Sequence, residues 1–255
     1  MKTRSMTHVF LFVGILLIAG LACKTLTPSA ETPPPVATMP PVEVLPTEPP
    51  ALPPAEVPTE PPVQPAEQYF TENFDSEPAH WYQQVELNSK EGDMSQASVT
   101  VEDGYLSFDL GKWLIAYMFY DGAEYENVRV DVNVDNRGTN VNNVLLVCRI
   151  SDEGHYLVNI ANSGLFAMYA YKGENQTYQR ISNGGSTKIK SGKAVNEYSL
   201  VCRDRTIIIY INGTEARRYT DNDYVFRKGG VGIGVASEDQ LPVRLEFDWV
   251  KISEP

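Results

Sequence analysis

From Gln68 to the end of the chain, apolar side chains recur at every second position, and no stretch sustains the 3.6-residue period of a helix. Val128-Arg-Val-Asp-Val-Asn-Val134 is the plainest case. Side chains that alternate between two faces in this way belong to a half-buried β-strand. Turn-forming residues separate the runs: Asp103-Gly104, Asp121-Gly122, Asn136-Arg137-Gly138, Glu153-Gly154, Ser163-Gly164, Asn183-Gly184-Gly185, Asn212-Gly213 and Lys228-Gly229-Gly230. That punctuation predicts about a dozen strands in a single antiparallel β-sandwich over residues 68–255. Asn212-Gly213 is the sharpest hairpin signal, because both residues tolerate the positive φ of a type I′ turn. In the last run, Val243, Leu245, Phe247 and Trp249 are expected on one face, with Arg244, Glu246 and Asp248 on the other.

The chain ahead of this domain is of a different kind. Lys2 and Arg4 precede an apolar run, Val9 to Ala22, that is shorter than the ~20 residues of a membrane-spanning helix and suits a signal peptide over 1–22. The run ends Gly20-Leu21-Ala22-Cys23, which resembles the lipobox of bacterial lipoproteins, although Gly20 stands where Leu is commonest. The resemblance implies cleavage before Cys23 and a diacylglycerol on its thiol. Cleavage by ordinary signal peptidase after Ala22 and an uncleaved anchor remain open. Fifteen of the eighteen prolines lie between Pro28 and Pro65, in a segment without Lys, Arg or Gly. Residues 23–67 are therefore expected to stay unfolded as a Pro/Glu-rich stalk, partly polyproline II, reaching on the order of 100 Å. The expected product is extracytoplasmic and lipid-anchored to a bacterial cell membrane.

A net charge of −12 argues against nucleic acid as a partner, because phosphate binding needs a basic surface. With only three Cys and three His, a zinc-cluster protein is nearly excluded. If Cys23 carries lipid, Cys148 and Cys202 remain, each in the tetrapeptide Leu-Val-Cys-Arg within a strand. Their equivalent placement favours a disulfide, with two buried thiols as the alternative.

The order of several short motifs resembles the concanavalin A-like lectin/glucanase sandwiches, in particular their laminin-G-like and 3-keto-disaccharide-hydrolase-like branch. The motifs are Phe70-Thr-Glu-Asn-Phe-Asp75 with Trp81, Asp103-Gly-Tyr-Leu106, Leu146–Arg149 followed by His155–Ile160 and Gly164–Phe166, Asn196–Cys202 with Ile209-Tyr-Ile-Asn-Gly213, Gly230–Gly234 and Phe247-Asp248. The resemblance implies a jelly roll. It leaves activity open, because that sandwich hosts lectins, glycosidases and adhesion modules.

Retaining glucanases of that family carry Glu-x-Asp-x-Glu on one strand. Here Glu246-Phe-Asp248 is followed on the same face by Val250, and Glu124-Tyr-Glu126 by Val128. Both pairs are expected to be solvated carboxylates, and no catalytic residue is assigned. Asp103, Asp121, Asp221 and Asp223 in loops leave calcium as the one cofactor to consider. A binding role rests on Tyr169 and Tyr171, which share one face of the run Leu165–Lys172, opposite Phe166, Met168 and Ala170. By the same alternation Arg149 and Asn159 are expected to face outward beside them, as donors to a sugar stacked on the rings. Trp81, Trp113 and Trp249 are expected to be core anchors. These residues favour non-catalytic binding of a glycan or cell-envelope polysaccharide. A 3-keto-disaccharide-hydrolase-like enzyme and a protein–protein adhesion module are the alternatives.

Overall fold

The computed structural model describes residues 66–255. The expected signal peptide, the lipid-bearing Cys23 and the stalk up to residue 65 lie outside the described residues.

Fifteen strands form two antiparallel sheets. One sheet holds β1 (Phe70–Glu72), β3 (Ala97–Glu102), β4 (Tyr105–Leu110), β6 (Val128–Asn136), β11 (Val195–Arg203), β12 (Thr206–Ile211), β13 (Thr214–Thr220) and β15 (Val243–Ser253). The other holds β2 (Trp81–Leu87), β5 (Leu114–Tyr125), β7 (Asn142–Ser151), β8 (Gly154–Ala161), β9 (Leu165–Lys172), β10 (Thr177–Gly185) and β14 (Gly229–Ser237). The first runs β13-β12-β11-β6-β15-β4-β3, with β1 added to β15, and the second runs β10-β9-β8-β7-β14-β5-β2. This is the antiparallel sandwich that the alternation predicts, with the jelly-roll layout that the resemblance implies. The two predicted tight turns also form: Asn212 and Gly213 have φ of 49° and 76°, and Asp103 and Gly104 have 54° and 78°.

The core fills the space between the sheets. Val128, Val130, Val132 and Val134 are buried along β6, while the alternating Arg129, Asp131 and Asn133 are not. Phe108 and Phe247 meet inside at 5.2 Å between ring centroids. Cys148 on β7 and Cys202 on β11 are fully buried and joined by a disulfide that staples one sheet to the other.

Bulges overturn two expectations of strict alternation. The register of β15 against β6 shifts between Phe247 and Trp249, so Val250 and Ile252 take the core positions and Trp249 turns out beside Asn133. Trp113 sits in the turn between β4 and β5 at a φ of 58°, which leaves Trp81 as the one tryptophan packed against the main core. A second bulge follows Cys148 on β7, where Arg149 adopts a φ of 58°. Its side chain turns inward and is 1% exposed, so Arg149 does not face outward beside Tyr169 and Tyr171. Its guanidinium donates to the carbonyls of Phe226 and Glu126, each at 2.9 Å. Gly229 permits this close approach: a Cβ there would lie 2.3 Å from the Ile150 carbonyl oxygen.

Candidate functional site: an aromatic face on the curled sheet

The outward face of the seven-stranded sheet is set by its register. Tyr82, Phe119, Gly232, Val147, Leu157, Tyr169 and Arg180 form one cross-strand row. Gln84, Tyr117, Gly234, Leu145, Asn159 and Ala167 form the next. Beyond the first row, His155 on β8 pairs with Tyr171 on β9, which pairs with Tyr178 on β10. The middle of the face is therefore mostly apolar and aromatic, with Gln84 and Arg180 on its edge strands beside Tyr82 and Tyr178.

No second layer of described strands covers it, yet Tyr117, Leu145 and Val147 are 2%, 1% and 0% exposed. The sheet's own curl and its large side chains do the covering. Gly232 and Gly234 leave room for Phe119 and Tyr117 to lie flat across β14: a Cβ on Gly232 would fall 2.4 Å from the Phe119 ring, and one on Gly234 would fall 2.9 Å from the Tyr117 ring. The two rings stack on each other at 5.0 Å and 18°. In a flat sheet, β5 and β10 would be about 24 Å apart, five strand spacings. The Tyr117 hydroxyl nonetheless points towards that of Tyr178, without closing a hydrogen bond of good geometry. Burial, reinforced by that neighbour, pushes the Tyr117 hydroxyl well above its ordinary value.

Tyr178 gathers the other half of the face. Its ring lies 4.8 Å from Tyr171, 6.3 Å from Tyr169 and 5.8 Å from His155. His155 stacks on Tyr171 at 4.7 Å and 20°, and burial pushes its imidazole pKa down to about 4. Tyr82 at one edge and Tyr178 at the other keep 46% and 42% of their surface exposed, so the rims remain accessible above a sealed floor.

Tyr169, Tyr171 and Asn159 thus occupy the face that the alternation assigns them. Sequence reasoning missed Tyr82, Tyr117, Phe119, His155 and Tyr178. Its available signal was the double-sided apolarity of Ile115–Tyr120 and Val144–Val147, since a strand that is apolar on both faces is covered on both.

The acidic groups lie mostly elsewhere. Glu246 is paired with Arg137 at 2.7 Å on the outside of the other sheet, and Glu124 with Lys228 at 2.8 Å. On the aromatic face Glu86 pairs in register with Ile115, and Asp121 lies six residues further along β5. At ~3.3 Å per residue their backbone positions are about 20 Å apart, far more than the ~5–9.5 Å between the carboxylates of a two-carboxylate glycoside hydrolase. Of the loop aspartates considered for calcium, Asp221 is fully buried. It accepts the Tyr156 hydroxyl at 2.5 Å and the backbone N–H of Asp223, Tyr224 and Val225 at 3.0, 3.0 and 2.7 Å. Among the described residues no three His, Cys, Asp or Glu side chains gather as a metal cluster.

No family model matches the chain, and no curated protein is similar to it in sequence. Solved structures are similar in shape. A β-1,3-1,4-glucanase (lichenase) derived from a mouse hindgut metagenome aligns with a TM-score of 0.54 at 12% identity, over 74% of this chain and 100% of its own. A β-1,3-glucanase from Mycobacterium marinum aligns at 0.52 and 9% identity, over 74% of this chain and 100% of its own. A glycoside hydrolase family 16 endo-glucanase from Bacteroides ovatus aligns at 0.52 and 12% identity, over 72% of this chain and 99% of its own. Identities this low speak to the fold alone. The domain described by residues 66–255 is a concanavalin A-like jelly-roll β-sandwich.

Proposed function

We propose that the aromatic face of the seven-stranded sheet binds a carbohydrate chain without cleaving it, and that the protein displays this face outside the cell from a lipid anchor on Cys23. The observation that carries the reading is the set of rings that stays accessible at the rims of this face, Tyr82 at one edge and Tyr178, packed on Tyr171, at the other. Sugars present apolar C–H faces that stack on such rings, while their hydroxyls find donors and acceptors in Asn159 and Gln84. The wide separation of Glu86 and Asp121 favours binding over hydrolysis. The glucanases of similar shape lend the reading their fold only.

The test uses the full chain, solubilised in mild detergent, on a glycan array beside a Tyr171→Ala/Tyr178→Ala variant. Saturable binding to one glycan class, lost in the variant, is the expected result. Binding that the variant retains moves the site elsewhere. Absence of binding with and without calcium turns the reading towards a protein partner. Mass spectrometry of the N-terminal peptide for a diacylglyceryl thioether tests the anchor, and an unmodified Cys23 would remove it.

A further inference from the structure

On the other side of β10 from the tyrosine cluster lies a groove of about 420 Å³. Tyr178 and Arg180 face the aromatic side of that strand. Thr177, Gln179 and Ile181 alternate with them and line the groove, whose far wall is Tyr219, Asp223 and Tyr224. Two cations border it. Lys172, at the end of β9, holds its ammonium 5.2 Å from the centre of the Tyr224 ring. Arg180 lines the groove as well as sitting in register with Tyr169 on the aromatic face, so it belongs to both.

Neither cation is paired with a carboxylate among the described residues, so both charges are available at the groove. In a chain with 33 acidic and 21 basic residues, two unpaired cations at one groove form a local reversal of sign. Asp223 is the single carboxylate that lines it. The wall is also held firmly. Val225, a β-branched residue, adopts a φ of 62°, and the backbone N–H groups of Asp223, Tyr224 and Val225 are all held by the buried Asp221 carboxylate. The loop that carries Tyr224 is fixed before any ligand arrives.

Resting on the carbohydrate-binding reading above, we infer that the glycan is anionic, its sugar rings stacking on the aromatic face while a carboxylate or sulfate substituent is held across the edge of β10 by Arg180 and Lys172. Arg180 offers the planar fork that suits either anion, and Lys172 a point charge. Arg180, on the edge strand β10, also deters strand-to-strand aggregation. That role alone predicts no effect on the choice of glycan.

The full chain in detergent is assayed on an array of matched pairs: polygalacturonate beside its methyl ester, dextran sulfate beside dextran, and uronate-bearing oligosaccharides beside neutral ones of the same linkage. The same array is run with a Lys172→Met/Arg180→Gln variant and with Tyr171→Ala/Tyr178→Ala. The acidic members are expected to bind more tightly and to weaken as salt rises. The charge variant should lose about tenfold on them and little on the neutral members, while the tyrosine variant loses both. The uronate and sulfate arms distinguish which anion is meant. Equal binding of neutral and acidic members, or an acidic preference that survives the charge variant, overturns this inference and leaves the carbohydrate reading standing. Failure to bind any member overturns both.

Discussion

Breaking the Cys148–Cys202 disulfide should cost the domain about 4 kcal/mol. The two residues are 54 positions apart, so the bond closes a loop of about 55 residues in the unfolded chain. In the chain-entropy description, such a loop removes about 14 cal/mol/K from the denatured ensemble, which is ~4.2 kcal/mol at room temperature. With a urea dependence of ~2–3 kcal/mol/M for a domain of this size, the midpoint should fall by about 1.4–2.1 M. Both cysteines are fully buried, so reductant reaches them only when the sandwich opens, and the comparison must be made at equilibrium in urea. Oxidised protein, protein with reductant, and a Cys148→Ala/Cys202→Ala variant are followed by tryptophan fluorescence. The slope should also steepen on reduction, because an unfolded chain without its cross-link exposes more surface. The last two samples should agree to within the small packing loss of two sulfur atoms. If the oxidised and reduced proteins unfold within a few tenths of 1 M of each other, the reasoning is wrong, and the cross-link does not act through the unfolded chain.

Other perturbations test the site and its supports. Gly232→Ala should push the Phe119 ring off β14 and destabilise the domain by about 1–3 kcal/mol through overpacking; an unchanged urea midpoint would show that the ring does not need the glycine. Asp221→Asn should destabilise by about 2–3 kcal/mol, since a buried carboxylate loses its charge-assisted bonds, and Tyr156→Phe by about 1 kcal/mol; chemical denaturation that ranks them in the opposite order would refute the account. Burial raises the Asp221 pKa, but the Tyr156 hydroxyl and the three backbone N–H groups together outweigh it and hold it below the ordinary value. The stability it contributes is present above about pH 4, the unfolded value, and is lost as pH falls through the folded one. His155 acts in a higher window. Burial lowers its pKa to about 4, so the stability of the neutral ring is complete above about pH 6.5 and declines as pH falls towards 4. A His155→Gln variant should show a flatter pH–stability curve across that range by thermal unfolding, and an unchanged curve would refute the assignment.

Much of the fold is readable from residue order, because one rule, alternation, decides most of it. β6 follows the rule without exception, and so do Phe166, Met168 and Ala170 against Tyr169 and Tyr171. The rule fails where a strand gains a residue. At Arg149 and again between Phe247 and Trp249, a bulge moves the following side chains to the other face. Neither bulge carries a local residue signal, since Arg149 takes its positive φ without being Gly or Asn. Tyr169 and Tyr171 were legible as outward rings, but their companions were not. Tyr117 and Tyr178 are brought together by the curl of a whole sheet, a sum of small twists that no window of sequence contains.

The manner in which the chain enters the domain has a mechanical consequence. The Tyr120 and Tyr125 hydroxyls each donate at 2.6 Å, to the carbonyls of Glu67 and Gln68, immediately before β1 pairs with the end of β15. Both tyrosines belong to β5, the strand that also carries Tyr117 and Phe119. Tension applied through the chain ahead of Glu67 therefore passes into the strand that bears the ring platform. A load between that leading chain and anything held on the rings is borne along β5 and shared in shear with β14 and β2, which flank it. The two tyrosine hydroxyls take that pull first, and only once they give way would the three residues of β1 peel from β15 one pair at a time.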